Sequence, residues 1–198
     1  MQLRDFTPPR SQAARAALEL ASAYHSPALL NHVLRSWLWA EGFAALEGRA
    51  GVDHELLYVS AVLHDLGIVP AFDNVRLSYE EAGGHVAGAL TAGAGWTADR
   101  RQRVLDVIIR HNWPSVDPGF DVEGYLLETA TALDISGARA DALPADFVQE
   151  VLAAYPRLTL AQEFSASVTD QAERKPDTQA RRIVDGGVAR KLANHPLA

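Results

Sequence analysis

The segment from Leu56 to Leu63 constrains the fold most strongly, because its residues would be apolar on nearly every side of a helix. Asp53 can cap the start of this helix, and Gly67 can close its end. A helix that is apolar all round must be buried to be stable in water. We therefore predict a central helix in the core of the molecule.

Capping residues, prolines and glycines divide the rest of the chain into further helices. Ser26 and Pro27 form an N-cap and a first helical residue, and Ser78 with Glu81 forms a capping box. No segment alternates polar and apolar residues as a half-buried strand would. The sequence predicts an all-α helical bundle, a single domain over residues 1–198, with its motifs at about 26–137 and C-terminal helices at 144–198. The region after Lys175 is the most polar, and we expect it to be peripheral. The predicted helices cover 11–23, 27–46, 53–66, 78–90, 97–111, 121–134, 144–155, 160–173 and 177–193.

Composition limits the chemistry that the chain can perform. It contains no cysteine, which excludes disulfides, thiolate metal ligands and a cysteine nucleophile. The formal net charge of -7 disfavours binding to nucleic acid polymers. The N-terminus lacks the apolar core of a signal peptide, and no apolar stretch is long enough to span a bilayer. We expect a cytoplasmic protein that binds a small-molecule substrate and no membrane, with a homo-oligomer left open.

Four ionisable residues stand out because they lie on apolar helices. His64 and Asp65 end the central helix, His32 lies on an apolar helix face, and Asp134 follows Leu133 deep in another. Burying such groups is costly unless they are paired or bind a cation. Each alone fits a satisfied core residue, and His64 with Asp65 could bond loop backbone. Two imidazoles and two carboxylates together suit zinc, iron, manganese, cobalt or magnesium.

The order of these residues resembles the H…HD…D pattern of the HD-domain superfamily of metal-dependent phosphohydrolases. The matching segments are Asn31-His32, residues 63–67 (LHDLG) and Leu133-Asp134, and the resemblance covers roughly 26–137. It implies that His32, His64, Asp65 and Asp134 bind one divalent metal ion. Such an ion lowers the pKa of bound water from 15.7 toward about 7 and so activates it at neutral pH.

A narrower resemblance points to the branch of the superfamily that contains cyanamide hydratase. Residues 77–80 (LSYE), 83–84 (GG) and 108–111 (IIRH) are similar to segments of that branch, with Tyr79 in place of its usual phenylalanine. This resemblance implies a zinc or iron ion and the addition of water to a carbon–nitrogen triple bond.

We interpret His111 and Glu80 as catalytic groups that transfer a proton without binding the metal. Glu80 is equally compatible with an ordinary first-turn helix residue. Other HD enzymes place a second metal on two further histidines, and His111 fits only one of them, because His85 lies about a turn beyond the other position. We expect one metal, with His85 on a helix face or in a polar part of the core. Three histidines at segment ends are expected to be solvated: His25, His54 and His195. Four aromatic residues are expected to lie in the core, although the last of them could wall the pocket: Trp37, Trp39, Phe43 and Trp113.

Three functions are compatible with this site. The first is a hydratase or hydrolase of a small substrate such as cyanamide or a nitrile-like compound. The second is a phosphohydrolase of a nucleoside monophosphate or other phosphoester, which Arg35 and Arg110 alone could assist as nearby cations. The third is a non-enzymatic binding module stabilised by a structural ion. A di-iron oxygenase using both His85 and His111 is a remoter fourth.

Overall fold

The computed structural model describes residues 1–197 and confirms the all-α prediction, with ten α-helices and no strand in that range. No helix in the same range is long and apolar enough to cross a membrane. Short 3-10 turns lie at Leu3–Asp5 and Leu66–Ile68. The helices are α1 (Gln12–Tyr24), α2 (Pro27–Leu46), α3 (His54–Leu63), α4 (Tyr79–Gly93), α5 (Ala98–Arg110), α6 (Val122–Ser136), α7 (Ala145–Ala154), α8 (Leu160–Arg174), α9 (Gln179–Asp185) and α10 (Val188–Ala193).

Helix α3 is the centre of the bundle, as its composition predicts. Every residue from Leu56 to Leu63 is buried. The helix packs against α1, α2, α4, α5 and α6. Asp53 caps its N-terminus by accepting a hydrogen bond from the Leu56 amide. The end of α3 therefore places His64 and Asp65 inside the molecule, where three other helices can reach them.

The turn after Asp65 lies directly against the start of α4. A Cβ atom built on Gly67 would lie 2.0 Å from the Tyr79 carbonyl oxygen and 2.7 Å from the Gly83 nitrogen. No side chain fits at such distances, so only glycine permits this approach. The capping box of Ser78 and Glu81 starts α4 at the same place. The turn that carries Asp65 is thereby fixed to a neighbouring helix.

The C-terminal part differs from the prediction in two ways. The expected helix at 177–193 is two short helices, α9 and α10, separated at Gly186 and Gly187, where Gly187 has a φ of +76°. The region after Lys175 is also not peripheral throughout, because α10 packs on α6. Lys175 is buried, and its ammonium donates to Asp73 and to two backbone carbonyls. A polar composition did not reveal this burial, because a paired lysine covers apolar surface with its own methylene groups.

Candidate metal centre

Three ligand atoms from two segments of the chain meet in the core. His32 comes from α2, and His64 and Asp65 follow α3. The His32 Nε2 atom lies 3.2 Å from the His64 Nε2 atom and 3.3 Å from the Asp65 Oδ2 atom. The third separation, from His64 Nε2 to Asp65 Oδ2, is 3.4 Å. All three side chains are at most 1% exposed, so the atoms form a nearly equilateral triangle away from solvent.

This triangle has the dimensions of a metal site. A tetrahedral ion with ligands at about 2.1 Å separates its ligand atoms by about 3.4 Å. Both Asp65 oxygens are buried without a hydrogen-bond donor. An ionised carboxylate in that condition costs several kcal/mol unless a cation lies beside it. The three residues can therefore hold a metal ion, and their nitrogen and oxygen donors suit zinc or iron.

The His32 and His64 rings are oriented with their Nε2 atoms facing each other. The Nδ1 atom of His64 lies 2.7 Å from the Ala61 carbonyl oxygen, to which it must donate. Burial alone would lower the pKa of His32, but Asp134 and Asp65 raise it above its ordinary value. The surroundings thus favour a positive charge at this point, which a metal ion would supply.

Asp134 lies on the far side of His32 from the triangle. It is therefore not part of the triangle that the other three predicted metal ligands form in this structure. Its Oδ2 atom accepts from His32 Nδ1 at 2.7 Å and from Arg35 Nη2 at 2.6 Å. Its Oδ1 atom accepts from Arg35 Nε and from the Trp39 indole, both at 2.8 Å. Burial alone would raise the pKa of Asp134, but the Arg35 guanidinium holds it well below its usual range. The carboxylate is ionised and fully bonded without a metal.

His111 borders the triangle from the end of α5. Its Nδ1 atom donates to the Ile108 carbonyl at 2.5 Å, and its Nε2 atom lies 3.9 Å from Asp65 Oδ1. The ring packs edge-on against His64, with centroids 4.6 Å apart. Burial, and then the charge of His64, lower the pKa of His111 to about 3. The ring is therefore neutral, with its Nε2 lone pair turned towards the site.

Glu80 lies close by but does not line the same cavity. It is 2% exposed, and its Oε2 atom has no hydrogen-bond partner. Burial raises the pKa of its carboxyl group. Glu80 instead borders a separate pocket with Trp113 and Arg182. Glu80 therefore lies near the metal centre without lining its cavity.

A cavity of about 420 Å³ opens onto the triangle. His32, His64, Asp65 and His111 line one end of it, and Trp113, which is 39% exposed, lines its wall. The C-terminal helices α9 and α10 supply much of the remainder. Sequence reasoning missed this, because helical periodicity shows which residues share a face and not which neighbour that face meets.

The cations near the cavity are not those that the sequence indicated. Arg35 is completely buried against Asp134, and Arg110 pairs with Asp106 and Asp121. Arg182 and Lys191 line the cavity instead. Neither takes part in an ion pair within residues 1–197. The expectation that Arg35 and Arg110 are the only nearby cations was therefore wrong.

The remaining histidines differ in exposure. His85 is exposed on α4, which removes it from any second metal site. His25 and His195 are buried, so the expectation that they are solvated was wrong, whereas His54 is exposed and bonds Glu41. His195 is buried because its Nε2 atom bonds the Leu133 carbonyl. The expected core aromatics are confirmed as buried: Trp37, Trp39 and Phe43.

Comparison with known proteins identifies relatives over most of the chain. Two proteins of Saccharomyces cerevisiae (strain ATCC 204508 / S288c), cyanamide hydratase DDI2 and cyanamide hydratase DDI3, are each 30% identical over 172 residues. The alignments cover 85% of this chain and 76% of each relative. The chain belongs to the cyanamide hydratase family. No family model matches the sequence.

Membership of the cyanamide hydratase family confirms the narrower of the two resemblances found in the sequence. It supports a hydratase-type enzyme, in keeping with the three residues that can hold a metal. The wider assignment to the HD-domain superfamily stays a prediction.

Proposed function

We propose that this chain is a metal-dependent hydratase that adds water to the carbon–nitrogen triple bond of cyanamide or a nitrile-like compound. The triangle of His32, His64 and Asp65 carries the proposal, because its three lone-pair atoms lie at the spacing of a tetrahedral metal site. The relatives supply the reaction class. Zinc or iron is the proposed ion.

In this proposal three residues hold the metal and a fourth orients one of them. When bound, the ion supplies a Lewis acid that activates water at neutral pH. His32, His64 and Asp65 bind it, and Asp134 accepts from His32 Nδ1 and so fixes the ring with Nε2 inward. Carboxylates commonly orient metal-binding histidines in this way. Three protein ligands are typical of catalytic zinc sites, whereas structural sites have four.

His111 is proposed to transfer the proton that passes from water to nitrogen during hydration. Adding water to a nitrile forms a carbon–oxygen bond and transfers a proton from the water to the nitrogen. The neutral His111 Nε2 faces the ligands and can accept a hydrogen bond from that water. Glu80 is proposed to act as a positioning group, since its carboxyl does not line the cavity.

A second candidate function is hydrolysis of a phosphomonoester such as a nucleoside monophosphate. The observation in its favour is that Arg182 and Lys191 line the cavity without ion-pair partners in residues 1–197. Cations at such positions stabilise transferring phosphoryl groups. The relatives give no support to this reaction class.

The test is a comparison of substrates on protein of known metal content. Protein purified without added metal is analysed for its elements and assayed on cyanamide, acetonitrile and a nucleoside monophosphate. We expect hydration of cyanamide or a nitrile that a chelator abolishes. Efficient monophosphate hydrolysis with no hydration would replace the proposal by the second candidate. A full metal complement with neither activity would favour the structural ion.

A further inference from the structure

The cavity is much larger than cyanamide. Cyanamide has three non-hydrogen atoms and fills at most about 90 Å³, if each of them takes the roughly 30 Å³ of a water molecule. The cavity holds about 420 Å³. Cavities of roughly 300 to 1,000 Å³ are typical of sites for larger ligands. The space beyond the metal ligands can therefore take a substituent attached to the reacting group.

One wall of this space is a single face of α6. Residues at positions i, i+3, i+4 and i+7 lie on one side of a helix. Five residues of α6 line the cavity, and all but Ser136 follow this spacing: Glu128, Thr131, Ala132 and Ile135. Glu128 precedes Asp134 by six residues, about 9 Å along the helix axis. The Glu128 backbone thus lies more than one helical turn from Asp134, which contacts His32.

Glu128 supplies an unpaired carboxylate to this wall. It is only partly exposed, and no ion pair within residues 1–197 involves it. The Thr129 hydroxyl lies 3.5 Å from the Glu128 Oε2 atom, too far for a strong hydrogen bond. Burial raises the pKa of Glu128, although Thr129 and Arg139 oppose the shift. A ligand with a positive charge would offset this cost of desolvation.

Arg182 and Lys191 offer the competing interaction, with an anionic substituent. Both are exposed, so water and salt screen their charges. Glu128 is less exposed, and the same charge interaction is stronger where solvent is partly excluded. Glu128 on the α6 wall is therefore better placed than Arg182 or Lys191 to bind a charged group of the ligand.

We infer that Glu128 determines specificity by binding an ammonium group at the end of the substrate remote from the reacting carbon. The preferred substrate class is then an aminoalkyl nitrile or aminoalkyl cyanamide rather than cyanamide itself. This inference rests on the proposed hydratase function. The ammonium group is not consumed, since the reaction adds one water across the carbon–nitrogen bond.

The test measures binding and turnover separately on metal-loaded protein. Calorimetry compares 5-aminopentanamide, hexanamide and the monoamide of adipic acid, which differ only in a terminal ammonium, methyl or carboxylate group. We expect the ammonium compound to bind at least about tenfold more tightly than hexanamide. Glu128→Gln should remove that advantage, and Glu128→Lys should shift it to the carboxylate compound. Glu19→Gln, an exposed change on α1, is the matched control and should alter nothing.

Turnover of 5-aminopentanenitrile, hexanenitrile and cyanamide separates the two levels of the proposal. If cyanamide and both nitriles stay unreacted, the hydratase function fails, and the inference fails with it. If they are hydrated but the ammonium group gives no advantage, or Glu128→Gln keeps that advantage, the role of Glu128 alone is overturned. A preference of the unaltered protein for the carboxylate chain, lost in Arg182→Gln, would assign recognition to the exposed cations instead.

Discussion

The Oδ2 atom of Asp134 lies 2.7 Å from the Nδ1 atom of His32, on the side of the ring opposite to His64 and Asp65. Arg35 holds this carboxylate through both of its oxygens. The chain of contacts runs from a buried arginine through a carboxylate to an imidazole whose Nε2 atom completes the triangle. We therefore propose different roles for Asp134 and Asp65, although the sequence motif groups them as ligands.

We expect substitutions of the two aspartates to separate these roles. Asp65→Asn and His64→Ala should lose the metal and the activity, because they remove ligand atoms of the triangle. Asp134→Asn should retain the metal with about 10- to 100-fold weaker affinity, the range found for carboxylates that orient metal-binding histidines. Competition titration with a chromogenic chelator measures the affinities, and elemental analysis measures the metal content.

Stability provides the control for that comparison. Asp134→Asn leaves the buried Arg35 charge without its anion, a change that costs about 3 kcal/mol or more of unfolding free energy. Metal affinity is therefore measured below the unfolding transition of each variant. Complete metal loss in folded Asp134→Asn, equal to that in Asp65→Asn, would show that Asp134 is itself a ligand.

We expect His111→Gln to keep the metal and to lose turnover. The His111 Nε2 atom lies outside the triangle, 3.9 Å from Asp65 Oδ1, and its proposed role is to handle a proton. Removing a general acid–base group lowers turnover by about a hundredfold or more. Elemental analysis together with kcat decides the matter. Loss of half of a two-ion complement would instead reveal a binuclear site.

The sequence predicts the members of the site better than their contacts. His32, His64 and Asp65 were identified because ionisable residues on apolar helices demand partners. The bond from Arg35 to Asp134 was not, because the two residues lie on different helices and no local pattern links them. Arg182 was missed for a similar reason, since the residues of α9 alone give no sign that one of its faces meets a cavity.

The fold was predictable to the extent that local rules determine it. Apolar composition identified α3 as the central helix, and N-cap residues such as Ser26 and Asp53 marked where helices begin. The division between α9 and α10 was missed, because glycine inside a helical pattern is tolerated and does not by itself predict a break. In the structure the break coincides with the φ of +76° at Gly187, a backbone conformation that a helix cannot contain.

Asp121 makes the free energy of unfolding decrease at acidic pH. It is buried at the start of α6, where it accepts from Arg103 at 2.7 Å, from the Gly124 amide at 2.9 Å and from Arg110. Burial alone would raise its pKa, but Arg103, Gly124 and Arg110 lower it below the ordinary 3.8. Because the folded pKa is the lower one, the contribution is complete above the unfolded pKa and is lost as pH falls through the folded pKa.

We therefore expect Asp121→Asn to reduce the unfolding free energy at pH 7 by about 1–3 kcal/mol, and by less as the pH approaches 3. Urea unfolding at a series of pH values measures this. The control is Asp170→Asn, which removes an exposed pair with Arg174 and should change little. An equal loss at pH 3 and pH 7 would show that ionisation of Asp121 does not contribute.

The last prediction concerns Gly67, which joins the metal centre to α4. A Cβ atom there would lie 2.0 Å from the Tyr79 carbonyl, so Gly67→Ala must displace either the turn that follows Asp65 or the start of α4. We expect a loss of about 1–3 kcal/mol of stability, typical of overpacking, and weaker metal binding because Asp65 moves with the turn. Gly88→Ala is the matched control, since a Cβ atom on this α4 residue meets nothing within 4 Å. Alanine is the better helix former, so this control should gain about 0.5–1 kcal/mol and leave the metal affinity unchanged. Thermal unfolding and metal titration of both variants test the prediction, and a Gly67→Ala protein with unaltered stability and metal affinity would contradict it.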